Sequence, residues 1–134
     1  MNWRIVNPKS LPEPHGWNHG LLAPAKGRLL FVAGQIGVEA NVEASPFVDQ
    51  FDAALSNVLA VVRAAGGQPE HVARMTVYIT DMNVYRANPR ALKERWQKHM
   101  GRYYPTMTLV EVKSLVEKYA QVEIEATAVI PESS

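Results

Sequence analysis

The sequence predicts an α+β fold: one mixed β-sheet of about six strands, covered on one face by two helices. Three observations predict it. Apolar residues recur at helical spacing in two stretches only, within 51–65 and 92–100. Elsewhere they alternate with polar residues or form short apolar runs bounded by turn residues. The resulting order, β, ββ, α, β, α, ββ, fits one domain, 1–134, which is the length of a single compact unit.

The elements follow in chain order. Leu11–Gly20, rich in Pro, His, Gly and Asn, reads as a surface loop. Leu21–Ala25 and Arg28–Gln35 read as two strands joined at Lys26-Gly27, a tight turn. Gly34 and Gly37 then break the strand pattern, which marks a bulge or a close approach of backbone to a ligand. Ser45 as N-cap and Pro46 in the first turn open the first helix, whose stripe is Phe51, Ala54, Leu55, Val58, Val61, Val62 and Ala65. Gly66-Gly67 ends it.

Val72–Thr80 alternates, with Met75, Val77 and Ile79 on one face and Arg74, Thr76 and Tyr78 on the other. Asn88-Pro89 opens the second helix, with Leu92, Trp96 and Met100 in its stripe and Gly101 at its end. Thr106–Val112 and Gln121–Ile130 are the last strands. The uncovered sheet face is only half polar, so a second subunit is expected against it.

Composition narrows the function. Fourteen Lys+Arg against thirteen Asp+Glu leave a formal charge of +1, too little to drive binding to a phosphate backbone, so no nucleic-acid partner is expected. Cysteine is absent, which removes disulfides, thiolate nucleophiles and Cys-based zinc sites and favours a cytoplasmic setting. No apolar run is long enough to span a bilayer, and none precedes residue 8 as a signal peptide would require. His15 and His19 are four apart, but their Gly-rich context and the missing Glu of a His-Glu-x-x-His motif argue against a metal site. No Gly-x-Ser-x-Gly elbow and no complete G-x-G-x-x-G run occur, so neither a serine nucleophile nor a dinucleotide cofactor is expected.

Four stretches, in order, resemble the Rid/YjgF family of reactive-intermediate deaminases, also described as endoribonuclease L-PSP-like. They are Phe31-Val32-Ala33-Gly34-Gln35-Ile36, the helix segment Asn57 to Gly67 ending in Ala-Ala-Gly-Gly, Thr76-Val77-Tyr78-Ile79-Thr80-Asp81-Met82, and Tyr104-Pro105 through Val122-Glu123-Ile124-Glu125-Ala126. The resemblance implies a chorismate-mutase-like fold and a homotrimer whose sheets form a central barrel, with small-molecule clefts between subunits. It also implies addition of water to an enamine or imine with loss of ammonia and no cofactor. Glu123 matches the glutamate that positions the water. Gly34 and Gln35 match the cleft wall, and Trp17 falls near an aromatic cleft position; His19 is read, apart from the resemblance, as facing a ligand cleft rather than holding a metal.

The chain departs from this pattern at two places. The family motif Pro-Ala-Arg-Ser/Thr reads Pro105-Thr106-Met107-Thr108 here, so Met107 stands where the carboxylate-gripping arginine belongs. Leu109 stands where the deaminases often carry Cys. Methionine offers no cation, so a divergent member with a different, less acidic ligand is expected, and ordinary hydrolysis of 2-aminoacrylate is doubtful. Arg74 and Arg102 are the cations considered as replacements.

Each reading has a plainer rival. Glu123 and Glu125 share a strand face, and strand carboxylates are more often solvated or ion-paired than catalytic; the resemblance favours a role for Glu123 and leaves Glu125 structural. His71 and His99 read as surface or capping residues, and Trp96 and Met100 as core. The rival function is a non-catalytic trimer that binds a metabolite or serves stress-related interactions; the ribonuclease or translation-inhibitor label is the least supported.

Overall fold

Residues 2–38 and 45–132 are described by the computed structural model of the chain. The main sheet is mixed and has four strands, β3 (Arg28–Ile36), β6 (Val122–Ile130), β4 (Val72–Ile79) and β5 (Thr106–Glu111), in that spatial order. β6 pairs antiparallel with β3 and β4, and β5 runs parallel to β4. Two further strands, β1 (Arg4–Val6) and β2 (Gly20–Leu22), form a separate antiparallel ribbon. So the six strands expected of one sheet are divided between two sheets.

The hairpin expected across Lys26-Gly27 does not form. Leu21 and Leu22 pair with β1, while the strand beginning at Arg28 pairs along its length with β6. Pro24 has no N–H to extend β2 toward such a turn. Gly27, at φ 151°, instead lets the backbone pass beside β6: a Cβ there would lie 2.6 Å from Val129 Cγ1.

Helix α1 (Phe47–Ala64) covers one face of the sheet and packs against α3 (Pro89–Met100). Pro46, not Ser45, occupies the cap position, and among the described residues no side chain caps α1. The Ser45 carbonyl accepts from Gln50 Nε2 at 2.9 Å, and Gln50 Oε1 accepts from the Gln121 amide at 2.8 Å. This buried glutamine thereby ties the start of α1 to the segment entering β6. At the other end Gly66 takes φ 90° and the Gly67 amide returns to the Val62 carbonyl, the left-handed ending that the two glycines imply.

Alternation on β4 and β6 buries Met75, Val77 and Ile79 with Val122, Ile124 and Ala128 against α1. Leu55, Leu59, Val58 and Val62 fill the layer from the helix side. Truncating one such leucine to alanine costs about 2–5 kcal/mol, because the lost transfer energy is joined by a cavity.

A short helix absent from the sequence reading, α2 (Met82–Arg86), precedes α3. Asp81 caps it, with Oδ1 accepting from the Asn83 amide at 2.9 Å. Asn88 holds the cap position of α3 but turns its amide to the Val84 carbonyl of α2 at 2.7 Å, so it joins the two helices.

Two histidines differ from expectation. His71 is buried rather than on the surface, though it does cap: its Nδ1 accepts from the Gln68 amide at 2.8 Å. Burial lowers its pKa. His99 caps nothing and instead lies 2.5 Å from Asp52 Oδ1 across the α1–α3 contact. Arg95 (2.9 Å) and Lys98 (3.1 Å) also reach Asp52. Burial opposes ionisation of this carboxyl, but the hydrogen bonds from His99, Lys98 and Arg95 prevail and hold it at about 2.

Candidate functional site

The sheet face turned away from the helices carries Arg74, Thr76 and Tyr78 from β4 beside Thr127, Glu125 and Glu123 from β6. Glu123 is directly opposite Tyr78 in register, and Glu125 is opposite Thr76. The Tyr78 hydroxyl nevertheless donates diagonally, to Glu125 Oε1 at 2.6 Å. That bond to a carboxylate raises the Tyr78 pKa. Among the described residues no side-chain hydrogen bond or ion pair engages the Glu123 carboxylate, so its oxygens are free to accept.

The register of β3 against β6 shifts between Val32 and Gln35, the bulge that the glycine predicts. Gly34 lies at this shift, directly against Glu123. A Cβ on Gly34 would come within 2.7 Å of Glu123 Cδ and 2.9 Å of its Cγ. The missing side chain is therefore the space that the carboxylate occupies. Gln35 bends its amide to the Ala33 carbonyl at 3.1 Å and so secures the bulge.

Trp17, His19 and Met107 come together in a second place, a hollow of about 190 Å³ at the β5 edge that Arg74 also lines. The Trp17 and His19 rings meet edge to face at 6.1 Å. The His19 ring bonds the Pro12 carbonyl at 2.8 Å through Nε2. Asn18 fastens this loop to the start of β5, donating through its amide to the Pro105 carbonyl and through Nδ2 to the Tyr104 carbonyl.

Met107 and Leu109 are in register with Met75 and Val77, residues of the helix-covered face. Both line a groove of about 410 Å³ between β5 and the helices, whose walls also carry Phe51, Trp96, Arg86 and Lys93. Trp96 stacks on Tyr104 at 5.6 Å along this groove. Within one chain the sheet thus separates Met107 and Leu109 from Glu123 and Gly34. Arg102 lines none of these three places, whereas Arg74 lines the edge hollow.

Arg86 and Lys93 were not singled out from the sequence. Arg86 closes α2, a helix too short to show periodicity, and Lys93 lies off the apolar stripe of α3. The available signal was Asp81, a helix cap that sets Arg86 one turn further on.

Among the described residues, no group of three His, Cys, Asp or Glu side chains is placed to hold a metal, and no helix is long and apolar enough to cross a membrane. The sequence model of the family described as Endoribonuclease L-PSP matches residues 10–130. A 2-iminobutanoate/2-iminopropanoate deaminase of Dermatophagoides farinae is 30% identical over 130 residues, covering 95% of this chain and 96% of that protein. Among solved structures, the Rid-family protein YyfB of Yersinia pestis superposes with TM-score 0.78 at 27% identity, covering 97% of this chain and all of that one. Escherichia coli TdcF with bound serine superposes with TM-score 0.65 at 32% identity, covering 94% of this chain and 98% of that one. A four-stranded sheet backed by α1 and α3, these matches and the family-model span together place the chain in the Rid/YjgF family of α+β proteins.

Proposed function

We propose that this chain is a hydrolytic deaminase of a small enamine or imine, working in clefts between the subunits of a cytoplasmic homotrimer. One observation carries the reading: the Glu123 carboxylate is unengaged and occupies the space left by Gly34 on the open sheet face. Its relative from Dermatophagoides farinae bears the name of an imine deaminase, and the TdcF structure holds a small amino acid.

The reaction balances with water alone. An enamine first tautomerises to its imine. Water, held by Glu123, adds to the imine carbon while one of its protons passes to nitrogen through the carboxylate, giving a carbinolamine; the hydroxyl proton then reaches nitrogen by the same route, the C–N bond breaks, and ammonia leaves as the ketone forms. Met107 and Leu109 face the opposite side of the sheet from Glu123, so a cleft containing all three takes them from two copies of the chain. The half-apolar open face, with Phe31 and Leu29 exposed on β3, supports such an assembly.

Glu123→Gln tests the reading, since it keeps the shape and removes the acceptor charge. The expected result is a loss of imine hydrolysis of about 100-fold or more. A second reading, a non-catalytic metabolite-binding or stress-related interaction protein, is favoured by Met107 and Leu109, which pack against the core in place of two polar cleft residues. Ligand binding that survives Glu123→Gln, with no turnover of any imine by the wild type, selects it.

A further inference from the structure

We infer that the groove between β5 and the helices is the binding site for an anion with a bulky apolar body, its carboxylate held by Arg86 and Lys93. This rests on the deaminase reading above and names its substrate class: imino acids with a large apolar side chain.

The groove has the composition for it. Its volume of about 410 Å³ lies in the range of small-molecule sites. Phe51, Leu92, Trp96, Met107 and Leu109 supply apolar wall, and among the described residues no carboxylate lines it. Among the described residues Arg86 and Lys93 are its only charged ones, and neither makes an ion pair. Two unpaired cations beside an apolar slot are complementary to an amphipathic anion, with arginine offering a two-pronged grip on a carboxylate.

Position follows from the same walls. Arg86 comes from the end of α2 and Lys93 from α3, whereas Met107 comes from the strand beneath them. A carboxylate held at the helices leaves the Met107–Leu109 floor for hydrocarbon. The cation lost at residue 107 is therefore replaced from another wall, and the ligand expected is larger rather than less acidic.

Calorimetry on the full-length protein tests this with phenylpyruvate, a stable oxo-acid analogue, against pyruvate and the neutral methyl ester of phenylpyruvate. The expected result is phenylpyruvate binding at least about tenfold tighter than either. Arg86→Gln with Lys93→Gln lowers that affinity about tenfold or more, and Arg86→Lys alone, which keeps the charge and loses the two-pronged grip, lowers it by less than the double variant does. Arg86 and Lys93 are exposed, so an unchanged melting temperature accompanies the change. Equal affinity for pyruvate, unaltered binding by the double variant, or a loss caused by Arg74→Gln instead overturns the inference. Imine turnover that needs Glu123 while phenylpyruvate binding ignores Arg86 and Lys93 overturns it and leaves the deaminase reading standing. Binding through Arg86 and Lys93 with turnover indifferent to Glu123 does the reverse.

Discussion

Tyr78 donates its hydroxyl to Glu125 at 2.6 Å and not to Glu123, the residue directly opposite it on β6. One hydrogen bond thus divides two carboxylates of the same strand face into an engaged acceptor and a free one. Glu125→Gln and Tyr78→Phe are expected to lower the melting temperature modestly while leaving the rate of imine hydrolysis within about twofold, the scale of a surface polar change. Glu123→Gln is expected to do the opposite. Thermal melts beside steady-state rates on the three variants check the division.

Gly34 and Gly37 lie against different neighbours in the same short segment. A Cβ at Gly34 meets the movable carboxylate end of Glu123, whereas a Cβ at Gly37 meets backbone atoms of Gln50, with its Cα at 2.8 Å. Gly34→Ala is expected to displace Glu123, reducing kcat about tenfold or more with little change in melting temperature. Gly37→Ala forces α1 away from β3 and is expected to cost about 1–3 kcal/mol of stability. Denaturant unfolding and initial rates on both variants distinguish the two effects.

Asp52 makes the fold sensitive to acid. Its carboxyl sits at about 2 in the folded chain, below its ordinary 3.8, so its contribution is complete above the ordinary value. That contribution is lost as pH falls from near 4 toward 2, because the unfolded chain takes up the proton first. Asp52→Asn is expected to be less stable at neutral pH and to show a flatter decline across this window. Melting temperatures of both proteins from pH 7 to 2.5 check it.

Met107→Arg places at residue 107 the cation that the sequence leads one to expect there. Hydrolysis of 2-aminoacrylate is expected to be slow in the wild type and to rise about tenfold or more in the variant, the scale of one charge-assisted contact. Ammonia release from 2-aminoacrylate generated in situ measures it, and equal rates in the two proteins contradict it.

The long periodic elements were legible in the sequence. α1 and β4 carry their burial in their spacing, and Gly34 announced the bulge that places it against Glu123. What escaped was set by partners distant in sequence. Arg28–Ile36 looks like half of a hairpin until β6, about a hundred residues on, claims its edge. Strand pairing is decided by the whole sheet, and a local turn signal is weak against seven paired residues. α2 is five residues long, too short for periodicity, and its loss from the sequence reading hid Arg86. His99 looked like a helix-end residue because Asp52 lies 47 positions away. Met107 is expected from the sequence to mark a missing cation, and the sheet face it occupies follows only from its register with Met75.

The most direct measurement is loss of an imino acid generated in situ by an amino-acid oxidase, followed with wild-type protein and with Glu123→Gln at matched concentration. Acceleration by the wild type that falls about 100-fold or more in the variant, with unchanged melting temperature, is the predicted result. Equal acceleration by both proteins, or none by the wild type across small and bulky imino acids, contradicts it.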